Sequence, residues 1–581
     1  MNMGRFSTEK LQSLAAVARG DEPADILLIN GKLVNVHTGE IAISNIAIKG
    51  DTIAAIGKHY EDGVNIFDLA GKYVTPGLID AHLHIESTLL FPPELSKLLV
   101  AHGTTTVIHD PHEIANVFGI DGVKIMLSAV KDLPCDFYAT APSCVPATTF
   151  ESAGAELTVS DITALLKEDG VVGLGEMMNY PGVIAGDEAV MAKIAAAHKV
   201  NKLIDGHAPA VSGSDLQAYL SAGISTDHEC VSAGEAKEKI SSGMKVIIRH
   251  GSATSSLAEL LPLVNENNIN VFMVGSDDRE AGDLLKEGHL NNTLKVAVSL
   301  GADPLLLIKA ATINPAEHYR LYDRGVIAPG YRADLTVFED LKGFRTSLVI
   351  KNGFVAAESG KALPLKERAF RLPDEILTSV RVGRRVEKDD FVLHYPSGSV
   401  TVIGLLEGQL VTEKLHMDLP RGSRGEVLTD ITADVVKVAV VERHHASGRI
   451  GLALVRGVGL REGAIASTVA HDSHNIIVVG VEEEAMAAAV NALVDSNGGF
   501  VVVSGNGEVK GLLPLPVAGL MSEEPAEIVA TGMNNLLEAA SALGCRMKQP
   551  FLGISFLALP VIPSLKITDR GLFDVDSFSY L

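Results

Sequence analysis

The chain has 581 residues, 47% hydrophobic and 21% charged, a composition that excludes a disordered or fibrous protein and suits two to four folded domains. Its net charge of −23 and pI near 5.3 exclude nucleic acid as a partner, because binding a phosphate backbone needs clustered Lys and Arg. No apolar run of about 18 residues predicts a membrane span, and Cys135, Cys144, Cys230 and Cys545 lack CxxC spacing, as expected of reduced core thiols in a cytoplasmic protein.

The N-terminal text MNMGRFSTEKLQSLAAVARG has no apolar core for a signal peptide and reads as an amphipathic helix. From Ala24, short β-branched runs are split by Asn-Gly, Thr-Gly and Lys-Gly-Asp, the pattern of a β-meander with tight turns. Similar text returns at Pro329. The two β-rich pieces flank the middle of the chain and are expected to pair as one small β-sandwich.

Between them, strand-like runs at 74–84, 104–110, 135–144, 171–177, 201–207, 223–228, 244–250 and 269–277 alternate with segments of helical period. Many of those segments open on Ser or Asp and stop at Gly or Asn. Eight strands alternating with helices predict an α/β fold built on a closed, metal-dependent (β/α)8 barrel. A doubly wound open sheet is the alternative, but it puts a Gly-rich phosphate loop after its first strand, where this chain has His82-Leu83-His84. From about residue 376, strand text (DFVLHYPSGSVTVIGLLEG, RIGLALVRGVGL) and helix text (EEEAMAAAVNALVDSNG, EPAEIVATGMNNLLEAASALG) predict a C-terminal α+β domain. The expected boundaries are 1–75 for the helix and first part of the sandwich, 76–320 for the barrel, 321–375 for the rest of the sandwich, and 376–581 for the C-terminal domain.

The predicted strands end in ionisable residues. The first ends in His82 and His84, which a strand's two-residue period puts on one face. The fourth ends in Glu176, the fifth in His207, the sixth in His228 and the eighth in Asp277. In a (β/α)8 barrel all strand C-termini converge on one mouth. Four imidazoles and two carboxylates there suit two divalent metals such as Mn, Fe or Zn. Glu176 is placed to bridge them, and Asp277 to hold one and act as general base on a bound water. His102, His198, His289 and His318 lack such a pattern and are read as structural.

Pro76-Gly77-Leu78-Ile79-Asp80-Ala81-His82-Leu83-His84, with AATINPAEHY and GVIAPGYRADLTVF after the barrel, resembles the amidohydrolase superfamily over roughly residues 24–355. Longer words, HLHIEST, TTTVIHDPHEIANVFG, GLGEMMNYPGVI, IDGHAP, VGSDDRE and VAHDSHN, resemble the bacterial adenine deaminase family along nearly the whole chain. The resemblance implies hydrolytic deamination of adenine to hypoxanthine and ammonia by a hydroxide bridging two divalent ions, Mn or Fe, with Zn as the alternative. It carries His82, His84, Glu176, His207, His228 and Asp277 over as ligands, with Glu176 and Asp277 catalytic. Glu176 stands where many relatives have a carboxylated lysine. A cytoplasmic homo-oligomer (dimer or higher) in purine salvage is expected with it, with adenine as the small-molecule partner and no membrane.

The small zinc nucleobase deaminases pair H-x-E with P-C-x-x-C. His84-Ile85-Glu86 fits the first half, but Pro134-Cys135 is followed by Asp136-Phe137-Tyr138. Substrate contacts are expected from Glu86, from Asp110, His112 and Glu113 after the second strand, from Asp278 (also the alternative base), and from His471 and His474. The His471–Asn475 loop is expected to close over a barrel mouth, with a polar loop or a third metal site as alternatives. His444-His445 reads as a solvated turn. Competing functions are another amidohydrolase acting on a cyclic amide, an N-acyl compound or a different aminopurine, and a non-catalytic assembly subunit. The six occupied ligand positions speak against the last.

Overall fold

The computed structural model describes residues 6–252, 254–364, 370–395, 398–406 and 409–581. Residues 1–5 of the predicted N-terminal helix, and 396–397 and 407–408 of the predicted strand text, lie outside them. The helix Thr8–Arg19 starts where the Ser7 side chain accepts from the Lys10 amide, and stops at Gly20, which has φ 82°. Its Leu14 and Val17 pack on the flanking sheet against Leu27 and Ala47.

Both flanking segments join one nine-stranded sheet. The seam pairs Leu335–Phe338 antiparallel with Tyr73–Pro76, Thr336 opposite Thr75. The chain leaves this sheet at Gly77, where a Cβ would lie 2.2 Å from Thr105 Oγ1, so only glycine fits the crossing.

All eight predicted middle runs contain strands: β1 (Leu78–Leu83), β2 (Thr104–His109), β3 (Asp136–Ala141), β4 (Val171–Met177), β5 (Leu203–Gly206), β6 (Thr226–Asp227), β7 (Lys245–Arg249) and β8 (Phe272–Gly275). β1 to β5 form one parallel sheet and β6 to β8 another. The two sheets touch at both edges. Leu83 bridges Asp277 in the parallel sense, and the Asp277 amide donates to the His82 carbonyl at 2.9 Å. At the other edge the Ser225 amide donates to the Ile204 carbonyl at 3.0 Å. Ala81, Ile108, Tyr138, Val172, Leu203, Ile247 and Met273, one from each strand except β6, pack in a single cluster. The predicted eighth strand starts late, with Ile269–Val271 a 3-10 turn. Its neighbour β7 first offers a partner at Phe272, opposite Val246.

A buried ion cluster fastens the flanking sheet to β3. Lys351 Nζ lies 2.8 Å from Asp136 and 2.9 Å from Asp334, and Arg324 lies 2.6 Å from Asp136. Burial would raise the Asp136 carboxyl, but Lys351 and Arg324 hold it well below the usual carboxylate range. The folded-state value is depressed, so this stability is present above the unfolded value near pH 4 and lost as pH falls below it. Lys351→Met is expected to destabilise the fold by about 3 kcal/mol at pH 7, the low end for breaking a buried pair because Asp136 keeps some solvent contact. Thermal melts check this. The deficit should shrink below about pH 4, and an unchanged midpoint at pH 7 would refute the clamp.

The C-terminal region forms an eight-stranded sheet covered by the helices Glu483–Asp495 and Ala526–Ala542. Its strands match the predicted text at Val400–Leu405 and Ile450–Arg456. Asp390 and Phe391, read as the start of a strand, belong instead to a 3-10 turn over Lys388–Phe391, because Glu387 and Asp390 form a reciprocal capping box around it. One apolar core runs from Leu83, Ile85 and Leu95 beside β1 into Phe500, Leu515 and Leu536 of this region. The Phe91 amide also donates to the Ser522 carbonyl at 2.9 Å, which ties the loop after β1 to the C-terminal region.

Candidate metal centre

The strand ends bring the six predicted donors together. His82 Nε2 and His84 Nε2 are 3.1 Å apart. Glu176 Oε1 lies 3.3 Å from His84 Nε2, while Oε2 lies 2.8 Å from His207 Nδ1 and 3.2 Å from His228 Nε2. Asp277 Oδ1 is 3.5 Å from His82 Nε2 and 3.4 Å from His84 Nε2. Glu176 therefore gives one oxygen to the β1 histidines and the other to the β5–β6 histidines. Three overlapping triads result, each with ligand atoms within 4.8 Å: His82, His84 and Glu176; His82, His228 and Asp277; and Glu176, His207 and His228. All six side chains are buried except His207, which is 25% exposed.

The arrangement fits cations. His84 Nδ1 faces the Asp110 carbonyl at 3.1 Å, which fixes the proton there and leaves Nε2 with its lone pair inward. A lone pair 3.1 Å from another imidazole nitrogen is repulsive unless a proton or cation lies between them. Buried and without a hydrogen-bond partner nearby are His112 Nδ1 and Asp110 Oδ1, further donor capacity beside Glu176.

Supporting groups hold the donors in place. Asp80 Oδ1 accepts from the amides of His82 and Ser276 at 3.1 Å each, and its Oδ2 from Ser276 Oγ at 2.6 Å. His289 Nε2 lies 2.9 Å from the same carboxylate, so β1 and β8 are locked behind the ligands. Asp110 Oδ2 accepts the Glu176 amide at 2.9 Å, and a Cβ at Gly175 would sit 2.2 Å from that oxygen. Asp277 has φ 58°, a left-handed backbone at the strand exit. Its Oδ2 accepts from Arg249 Nη1 at 2.7 Å, and Arg249 also clamps Glu229 with both guanidinium nitrogens. Burial opposes charge on Asp277, but Arg249 and the imidazoles keep its carboxyl well below the usual range.

Comparison with known proteins agrees with this centre. Residues 73–361 match the Amidohydrolase family, and residues 409–579 match the Adenine deaminase C-terminal domain. A protein of Desulfatibacillum aliphaticivorans named adenine deaminase is 47% identical over 97% of this chain and 98% of its own length. Proteins of Methanothrix thermoacetophila (adenine deaminase, 45% identical) and Carboxydothermus hydrogenoformans (adenine deaminase 2, 44% identical) each align over 98% of this chain, and over 99% and 98% of their own lengths. The chain belongs to the adenine deaminase family. Divalent-metal binding follows from its amidohydrolase core together with the donor clusters.

In this member of the family, the expected substrate contacts fall into two groups. Asp110 and His112 sit against Glu176. Glu86, Glu113, Asp278, His471 and His474 line a cleft between the strand ends and the C-terminal region, whose far wall is apolar and includes Phe500, Leu520 and Phe551. Asp278 Oδ1 accepts from Ser87 Oγ at 2.5 Å. Glu86 Oε1 accepts the Ile114 amide at 3.1 Å, while its Oε2 is buried without a partner. Burial pushes the Glu86 carboxyl up to about 7, and the Glu113 charge adds to the shift.

The His471–Asn475 loop reaches Glu113 of its own chain. His471 Nδ1 lies 2.8 Å from Glu113 Oε1, and His474 Nε2 hydrogen-bonds Glu113 Oε2. His474 Nδ1 accepts the Ala470 amide at 3.2 Å, so its proton must sit on Nε2, facing Glu113. Burial pushes His474 down to about 4, which keeps it neutral in that tautomer. A cation at Glu113, His471 and His474 would have to displace that proton, so the tautomer speaks against a third metal site. Sequence reasoning missed Arg249, Glu229 and the role of Asp80. It also misread His444, which is half-buried and whose Nε2 lies 2.7 Å from the Ser473 carbonyl, beside the fully buried Arg443, which donates to the His474 carbonyl. Both brace the loop.

Proposed function

We propose that this chain hydrolyses adenine to hypoxanthine and ammonia. The observation that carries the reading is the six-donor cluster at the strand ends, on a chain whose near-full-length relatives at 42–47% identity are named adenine deaminases. The strands form one closed (β/α)8 barrel over 76–320, with a β-sandwich from 1–75 and 321–375 and an α+β domain over 376–581. The two edge contacts and the shared inner cluster support closure. The barrel holds two divalent ions, Mn or Fe with Zn as the alternative, on His82, His84, Glu176, His207, His228 and Asp277. The enzyme works as a cytoplasmic homo-oligomer. No described helix is long and apolar enough to cross a membrane.

Bound there, the ions polarise the substrate and acidify water. The chain supplies the rest. Water attacks C6 as Asp277 accepts one of its protons and passes it to the ring nitrogen beside C6, and the second proton, from the resulting C6 hydroxyl, goes to the departing amine as C6=O forms. The C6–N6 bond breaks, and ammonia leaves. The buried strand ends and the cleft hold the purine against these groups and exclude competing solvent. Purified protein incubated with adenine should release equimolar ammonia and hypoxanthine. Chelation should abolish turnover, and Mn, Fe or Zn should restore it. Metal-loaded protein that releases no ammonia from adenine would overturn the reading.

A further inference from the structure

Within the cleft, one polar group has a fixed orientation and a spare hydrogen-bonding atom. His471 commits Nδ1 to Glu113 Oε1 at 2.8 Å. Its ring stacks on Phe556, with centroids 4.7 Å apart and planes 17° apart, so the imidazole cannot swing. Among the described residues no hydrogen bond engages Nε2, and the side chain lines the cleft that Glu86 and Asp278 also line. Asp278 in turn clusters with His84 and Asp277, so the cleft adjoins the proposed metal centre through Asp278. The carboxylates facing His471 are Glu113, Asp472 at 3.9 Å and Asp278, and the His474 ring lies 5.7 Å away between centroids. Burial opposes charge on the ring, but the Glu113 carboxylate prevails and lifts it to about 9. Both ring nitrogens then carry protons at neutral pH, and Nε2 is a donor.

We infer that His471, supplied by the C-terminal domain, is a specificity-determining residue that donates its Nε2–H to an acceptor nitrogen of the purine ring remote from the reacting carbon. This rests on the adenine reading above and adds the group that orients the ring. Glu113 and His474 are then positioning residues. Glu113 aims the imidazole, and His474, with its proton fixed on Nε2, holds Glu113. The C-terminal domain thereby completes the substrate site of its own barrel, across 361 residues of sequence between Glu113 and His474.

The test compares wild type with His471→Asn and His471→Gln. Asn can still donate to Glu113 from the Nδ1 position but has nothing at Nε2, whereas Gln puts an amide near Nε2. Cation content and thermal midpoint should be unchanged in both. For adenine, KM should rise about 10- to 100-fold in His471→Asn with kcat nearly unchanged, the effect of one lost charge-assisted hydrogen bond. His471→Gln should recover part of it. With 3-deazaadenine and 7-deazaadenine as competitive inhibitors, one should bind wild type weakly and lose nothing further in His471→Asn, while the other follows adenine. An active wild type beside His471→Asn with unaltered KM, or equal losses for both inhibitors, overturns the inference alone. A metal-loaded wild type inert on adenine overturns the function reading and this inference with it.

Discussion

Glu176→Gln is expected to lower kcat/KM for adenine by at least ~10³-fold, the scale of losing several kcal/mol of metal-derived stabilisation. The reason is geometric. Glu176 Oε1 lies 3.3 Å from His84, and Oε2 lies 2.8 Å from His207 and 3.2 Å from His228. It turns one oxygen to the β1 histidines and the other to both His207 and His228. An amide keeps the shape but offers one acceptor oxygen and presents N–H groups to lone-pair nitrogens on the other side. Elemental analysis should then show fewer than two ions per chain. The Asp110 contact is to the Glu176 backbone, so the strand end itself should not move. A Gln variant with full ion content and wild-type kcat/KM would show that Glu176 is not shared between the two halves.

The donors were legible because each closes an apolar run, and strands that alternate with helices must bring such ends together. His82 and His84 share a face through the two-residue period alone. The residues around them left weaker marks. Asp80 draws no reading, and Asp110 reads as a substrate contact rather than a support, because their carboxylates serve backbone amides across strands rather than any local pattern. Arg249 ends β7 as clearly as His228 follows β6, but a search for ligand types passes over a guanidinium. The same rule applied to every charged strand end would have found it. The closing of the His471–Asn475 loop over a strand-end mouth is expected, but its pairing with Glu113 is not legible. That pairing joins the segment after β2 to a C-terminal loop, and contacts across so much sequence leave no periodicity behind. Asp390 and Phe391 misled for the opposite reason, since a local capping box outweighed the strand text that they open.

Asp277→Asn, with Asp278 intact, is expected to cut kcat for adenine by about 10²- to 10⁴-fold, the range for losing a general base. Asn retains an oxygen at Oδ1, facing His82 and His84 at 3.5 and 3.4 Å, so ion content should hold better than in Glu176→Gln. What Asn lacks is the capacity to take a proton. The Arg249 contact at 2.7 Å occupies the other oxygen, which leaves Oδ1 as the proton acceptor and fixes its direction toward the imidazoles. The left-handed backbone at Asp277 aims that oxygen inward, whereas the next carboxylate, Asp278, turns to Ser87 and the cleft. Asp278→Asn should therefore cost much less in kcat. The paired measurement separates the two carboxylates: full turnover by Asp277→Asn, or a larger loss in Asp278→Asn, would transfer the base to Asp278 and leave Asp277 as a ligand alone.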